Sequence, residues 1–311
     1  VFRYIIRRLL QSILVVIGVS ILVFVILFQT GDPTLLMASP DATKEDLEQL
    51  RHNLGFDRPI YIQYLDFASD AVRGDFGTSL RQGQPVFDLV IDRVPATLKL
   101  ALTAFVLSVV ISIPVGIISA TKRNSLADNA VMGFSLLGQA LPGFFLGIML
   151  IYIFGGKLGW LPSYGQGDGS LVSSIKHLIL PAITLSTFSL ARNARLVRSS
   201  LLEVLGLDFV RTARSKGLAE RVVMYRHALK NALIPVVTIF GLEFGTLLGG
   251  AVITETVFAW PGIGRLVVLA IQQRDFPVVV GAVTVIAIVF VFINLAVDLL
   301  YGVIDPRVRY S

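Results

Sequence analysis

Asp208-Phe-Val-Arg-Thr-Ala-Arg-Ser-Lys-Gly217, continued by Leu218-Ala-Glu-Arg-Val-Val-Met-Tyr-Arg-His-Ala-Leu-Lys-Asn231, interrupts a chain that is otherwise mostly apolar. Such a stretch carries too many charges to cross a bilayer. Its spacing nevertheless predicts a helix, a glycine stop and a second helix, more organisation than a passive loop needs. Leu218, Val222, Tyr225 and Leu229 recur at helical spacing and are expected to pack within the protein. A structured polar insert between apolar runs points to a membrane protein with one face turned to a soluble partner.

Composition agrees. Hydrophobic residues fill 54% of the 311 positions and charged ones only 15%, with a mean hydropathy of +0.76, whereas soluble domains carry about 25% charge. The net charge of +6 is unevenly placed. Residues 192–230 hold nine basic and three acidic side chains, while 31–99 holds seven basic and eleven acidic. Basic residues gathered beside apolar runs are a topology signal, so no nucleic-acid partner is expected. Cysteine is absent, which excludes a disulfide framework, a thiolate metal site and a cysteine nucleophile.

A helix needs about 20 apolar residues to cross a hydrocarbon core. Apolar runs bounded by charges place spans at Leu9–Gly31, Leu100–Thr121, Ala130–Gly156, Ala232–Thr254 (with Glu243 inside) and Phe276–Val297. A shorter run, His177–Ala191, becomes the sixth if it starts near Val172 with Lys176 reaching the interface. The first run is longer than a signal-peptide core and lacks a small-residue cleavage pattern, so it is expected to remain as a span. The expected fold is all-α, a polytopic membrane protein with six transmembrane helices.

Six spans leave both termini on one side. Arg3, Arg7, Arg8, Lys122, Arg123, the insert and Arg307 with Arg309 then share a face, which the positive-inside rule makes cytoplasmic. The chain accordingly divides into an N-terminal end with the first helix (1–31), an extracytoplasmic helical segment (32–98), a core of five spans (99–301) containing the basic segment 192–231, and a tail (302–311). In the extracytoplasmic part, Thr43-Lys-Glu-Asp46 resembles a capping box, and Pro59 opens a second amphipathic helix ending near Gly74. These helices either cap the bundle or receive a soluble donor protein.

Enzymatic signatures are missing. There is no G-x-x-x-x-G-K-[ST] phosphate loop, G-x-S-x-G or H-E-x-x-H, and His52, His177 and His227 are scattered. No catalytic, cofactor-binding or metal-binding residue is assigned. Inside the spans, Gly241, Gly245 and Gly249 recur every four residues and are expected to let another helix approach closely. Pro114 and Pro142 are expected to kink their helices. Glu243, near the middle of the fifth span, must face a polar cavity or another helix. Translocation-path lining, an interhelical hydrogen bond and a proton relay all remain open for it. Asn294 and Gln139 are expected to be interhelical partners.

The insert also resembles a family signature. Arg211, Thr212 and Ala213, then Gly217 and Leu229, stand where inner-membrane permeases of binding-protein-dependent ABC importers carry Glu-Ala-Ala, three residues, Gly, nine residues and Ile-x-Leu-Pro. His227 and Lys230 depart from that pattern in the manner of the peptide-importing branch. Arg198-Ser-Ser-Leu-Leu-Glu-Val-Leu-Gly206, Thr254-Glu-Thr-Val-Phe-Ala-Trp-Pro-Gly-Ile-Gly-Arg265, Arg274-Asp-Phe-Pro277, Asp298-Leu-Leu-Tyr301 with Asp305-Pro-Arg307, Gly31-Asp-Pro33 and Leu54-Gly-Phe-Asp-Arg-Pro59 extend the likeness to the dipeptide and oligopeptide permeases.

The resemblance implies a type I ABC importer permease fold and half of a translocation path for dipeptides or short oligopeptides. It implies a heterodimer with a second permease, two ATP-binding subunits carrying ATP and Mg, and an extracytoplasmic binding protein, all around a chain in contact with membrane lipid in a bacterial inner membrane. It makes Asp208, Phe209, Arg211, Thr212, Ala213, Arg214 and Lys216 a coupling helix to the ATPase, with Gly217 setting its angle. Phe209, Val210 and Ala213 are expected to form its apolar side. The same branch also imports nickel and glycosides. Outside it, the competing class is an ion-coupled secondary transporter or channel using Glu243.

Overall fold

The computed structural model describes residues 2–30, 34, 43–53 and 55–304. Gly31–Pro33, Leu54 and the tail from Asp305, with Arg307 and Arg309, lie outside the described residues. Among those described, every regular element is helical, and Thr78 and Pro85 form an isolated bridge. Four helices are long and apolar enough to cross a membrane, or six if each of two bent helix pairs is one span.

The chain divides into two compact units: residues up to Ala96 with Pro261–Ala296, and Thr97–Trp260 with the end of the last helix. Most of the last helix falls within the first of these units. That unit contains α1 (Phe2–Thr30), α2 (Lys44–Asn53), α3 (Ile60–Val72) and α4 (Val86–Ile91), with α12 (Ile263–Gln273) and most of α13 (Phe276–Ile304). The capping box is present at α2. Thr43 Oγ1 accepts from the Asp46 N–H at 3.2 Å, and Asp46 Oδ2 accepts from the Thr43 N–H at 2.9 Å. The Thr43 backbone N–H and hydroxyl hold the Asp46 carboxyl below the usual carboxylate range.

α4 and α12 were not expected, since each is too short or too mixed to stand out between longer apolar runs. Both are buried parts of the core: Phe76, Val86, Leu89 and Val90 pack with Ile263, Leu266, Val278 and Val279. Asp275 ties the loop before α4 to this core, accepting from Ser79 Oγ at 2.5 Å and from the Leu80 N–H at 3.1 Å.

The second unit holds most of α5 (Val94–Thr121), then α6 (Leu126–Ala140), α7 (Gly143–Leu150, prolonged by a π-helical stretch Ile151–Lys157), α8 (Leu171–Leu205), α9 (Asp208–Ser215), α10 (Glu220–Val222) and α11 (Leu229–Val257). Pro114 is accommodated inside α5. Pro142 does more than kink its span: α6 and α7 meet at 104°. Proline has no N–H to continue the ladder and forces its predecessor out of the helical region, and Leu141 accordingly sits at φ −77, ψ 125.

α8 runs 35 residues without a break at Arg192, about 53 Å at 1.5 Å per residue. The short sixth run is therefore the apolar part of a longer helix, and the separate basic segment begins only at Gly206. Asn294, expected to bond between helices, instead donates to Phe290 O of its own helix at 2.8 Å.

The stripe of small residues that admits a neighbouring helix lies on α5. Ala104, Ser108, Ser112, Gly116 and Ala120 recur every four positions and are all buried. A Cβ on Gly116 would stand 2.6 Å from Val197 Cβ and 2.8 Å from Ala194 O of α8. At Gly249, where a close approach was expected, nothing lies within 4 Å of such a Cβ, although Gly245 is buried. Gly116→Ala should therefore destabilise the protein by about 1–3 kcal/mol through overpacking. Gly249→Ala should be neutral or stabilising by up to about 1 kcal/mol. Thermal denaturation of the purified membrane protein separates the two, and equal effects would contradict this assignment.

Candidate functional site: a basic insert and the charged helix that carries it

α9 begins where α8 ends. Gly206 and Leu207 turn the chain, and Asp208 occupies the first turn, where a carboxylate complements the helix dipole. The helix closes on Gly217, whose φ of +75 is easily reached only without a side chain. Its apolar residues do not all face outward as expected. Val210 and Ala213 are buried against Ala120, Leu201, Val223, Met224 and Ala228 of the same chain. Phe209 remains exposed, with Arg211, Thr212, Arg214 and Lys216 around it. Arg214 is clamped by two bonds to Glu220, at 2.7 and 3.0 Å, which raise its pKa above the ordinary arginine value. Arg211 lies 3.6 Å from Asp208.

The residues after Gly217 also differ from their expected packing. Leu218, Val222 and Tyr225 are exposed and Leu229 is half-buried, while Val223, Met224, Ala228 and Ala232 form the inner face. A π-helical stretch, Val223–Ala228, lies in this segment. Its wider turn advances the inward face past the positions that a 3.6-residue period picks out. The insert thus displays Leu207, Phe209, Leu218, Val222 and Tyr225 as exposed apolar groups on a basic background.

Upstream, α8 presents Arg192, Arg195 and Arg198 three residues apart, each fastened to another helix. Arg192 Nη2 lies 3.1 Å from Glu243 Oε1 of α11, and Arg195 Nη2 donates to Gln139 Oε1 of α6. Arg198 grips Asp128 of α6 with Nε at 2.7 Å and Nη2 at 2.8 Å. Asp128 also accepts from Ser119 Oγ at 2.5 Å and from the Asn124 N–H at 2.9 Å. Asn193 Nδ2 donates to Glu243 Oε2 at 2.5 Å and to Ser108 Oγ at 3.0 Å. Glu243 is thus sealed between α8 and α11. Of the three roles left open for it, the geometry displays the interhelical bond.

The burial of Asn193 and Asp128, and the pairing of half-exposed Arg192 with a buried carboxylate, are not foreseen from the sequence. Their signal was the three-residue spacing of the arginines, which charge counting assigns to topology alone. Thr97 and Glu255 form a further buried pair at 2.7 Å in this unit. Among the described residues, no group of three or more His, Cys, Asp or Glu side chains could hold a metal ion.

The geometry defines a class: an all-helical, multi-pass protein whose longest helix ends in a structured basic projection. Residues 112–310 match the binding-protein-dependent transport system inner membrane component family, and residues 1–101 match its N-terminal family. The chain is 43% identical, over 99% of both lengths, to the oligopeptide transport system permease protein AppB of Bacillus subtilis. It is 42% identical, again over 99% of both, to the dipeptide transport system permease protein DppB of Alkalihalophilus pseudofirmus. With the glutathione transport system permease protein GsiC of Escherichia coli K12 the identity is 43% over the same shares.

Among solved structures, the methionine ABC transporter MetNI in an inward-facing conformation superposes with a TM-score of 0.55 at 21% identity, covering 70% of this chain and 96% of that one. An amino acid ABC transporter gives 0.51 at 18%, covering 71% and 94%. These two share the fold. The chain belongs to the family of inner-membrane permease components of binding-protein-dependent transport systems.

Removing Arg192 alone would leave Glu243 charged and buried, a loss of about 3–5 kcal/mol. Arg192→Gln should therefore lower the yield of folded protein, and adding Glu243→Gln should restore much of it, because two amides can bond where the ions did. Yields and melting temperatures of the two single variants and the double variant check this. Additive losses would show that the pair is uncoupled.

Proposed function

We propose that this chain forms half of the translocation path for dipeptides or short oligopeptides, in an importer driven by ATP hydrolysed on partner chains. The observation that carries the reading is its end-to-end similarity, at 42–43% identity, to permeases named for oligopeptide, dipeptide and glutathione transport. The insert supports it: exposed Phe209 flanked by Arg211, Arg214 and Lys216 is suited to a groove on a soluble subunit. In this reading a second permease completes the path, two ATPase chains bind ATP and Mg, and a binding protein delivers substrate from outside. The basic insert and both termini are then cytoplasmic, in keeping with the positive-inside rule.

ATP-dependent uptake of a radiolabelled dipeptide, by the chain reconstituted with its genomic neighbours, tests the reading. Uptake that follows a pH gradient without ATP would replace it with an ion-coupled transporter.

Within the complex, Phe209→Glu should release the ATPase subunits during co-purification, since it sets a charge where an apolar anchor is needed. Gly217→Val should lower uptake by about tenfold or more while membrane insertion persists, because the strain falls on the turn and leaves the spans intact. Normal uptake and ATPase retention in both variants would take the insert out of the mechanism.

The acidic face of α2 is the proposed contact for the binding protein. Reversing Glu45, Asp46 and Glu48 should weaken binding-protein stimulation of ATP hydrolysis without changing expression. Unchanged stimulation would leave these helices as structural cover.

A further inference from the structure

The break between α6 and α7 opens a cavity of about 500 Å³ that no helix of this unit fills. Its walls are the break itself (Leu141, Pro142 and Phe144), the α8 residues Thr187, Phe188 and Arg192, and Thr246 with Gly250 of α11. Its size falls within the roughly 300–1,000 Å³ of small-molecule sites, and a mostly apolar wall with one charged group is the usual make-up of such sites.

The charged group is Arg192. Its guanidinium has five N–H donors, and Glu243 takes one of them at 3.1 Å. Nε is buried and has no hydrogen-bond partner among the described residues, while the side chain as a whole is 40% exposed, so the donors it can offer are at its exposed end; the side chain of Glu243 is wholly buried. Glu243 is also held by Asn193, so its charge is satisfied from two sides. The pair thus fixes the guanidinium in place and leaves it donors to spare. Pro142 contributes no side-chain bond to the first turn of α7, so the positive end of that helix adds to the same field.

We propose that this cavity is a binding site for the peptide in transit, with Arg192 receiving its C-terminal carboxylate and the apolar wall accepting a side chain of any kind. The inference rests on the peptide-import reading above. Recognising the one feature that all short linear peptides share, and leaving the rest to an apolar wall, would give selectivity for peptides without selectivity for sequence. Glu243 acts here as a positioning residue, since it touches Arg192 and not the substrate.

Two measurements on the full complex test this. The first uses a dipeptide carrying a diazirine side chain, delivered by the binding protein and photolysed during turnover. It should label Phe144, Phe188 or their neighbours in the cavity wall, and an excess of unlabelled dialanine should abolish the labelling. Labelling confined to other regions would overturn the site whatever any variant does.

The second uses the double variant Arg192→Gln with Glu243→Gln, in which the buried charge is removed together with its partner. Uptake of radiolabelled dialanine should fall by about tenfold or more, as expected for loss of a charge-assisted bond, while the partner chains still co-purify. Undiminished uptake would overturn the proposal. So would loss of co-purification, which would assign the pair to assembly. A wild-type complex that takes up no peptide would remove the import reading and this site with it. Wild-type uptake with an indifferent double variant would remove only the site.

Discussion

Charge burial along α8 sets the terms for the second unit. Arg192, Arg195 and Arg198 sit in a helix whose apolar portion is long enough to span a bilayer, and each must be met sideways by a partner. Glu243, Gln139 and Asp128 meet them, from α11, α6 and α6. The carboxylates of Glu243 and Asp128 are the buried partners, and either one deprived of its arginine would cost several kcal/mol. The same bonds fix the rotation of α8 against both neighbours, and small residues on α5 then let the backbones close up, as at Gly116. The polar ladder specifies the arrangement and the small-residue stripe tightens it.

The consequence for function is continuity. One helix carries the groups that line the cavity, the ladder that holds the bundle, and, after a two-residue turn, the basic insert. Buried Val210 and Ala213 lock that insert to the ends of α5 and α8, so α9 is part of the packed unit and not a tethered appendage. A subunit seated on Phe209 would push on the bundle through a solid contact.

Much of this was legible in the sequence. The α2 capping box, the glycine that closes α9 and the spans around α5 and α13 follow from local rules that hold whatever surrounds them. What escaped depends on phase or on partners far away in the chain. Leu218, Val222 and Tyr225 were assigned inward by a period of 3.6, and the π stretch at 223–228 moves the inner face to Val223, Met224 and Ala228. Gly249 has the spacing of a packing face, yet among the described residues nothing lies within 4 Å of a Cβ placed there, while the stripe through Gly116 is hidden among serines and alanines. Glu243 was recognised as needing a polar neighbour, yet nothing local points 51 residues back to Arg192. Pro142 was identified, but whether a proline bends or breaks a helix depends on what its neighbours can pack against.

Pro181 gives α8 a mechanical property. Its ring removes one rung from a helix that continues for another 24 residues to Leu205, so any flexing of the rod is easiest there. Measured from that hinge, Arg192 lies about 16 Å along the axis and Leu205 about 36 Å. A rocking of 10° about Pro181 would then carry the far end about 6 Å and Arg192 about 3 Å. The helix would work as a geared lever, halving a large stroke at the insert into a displacement the width of a hydrogen bond at the cavity.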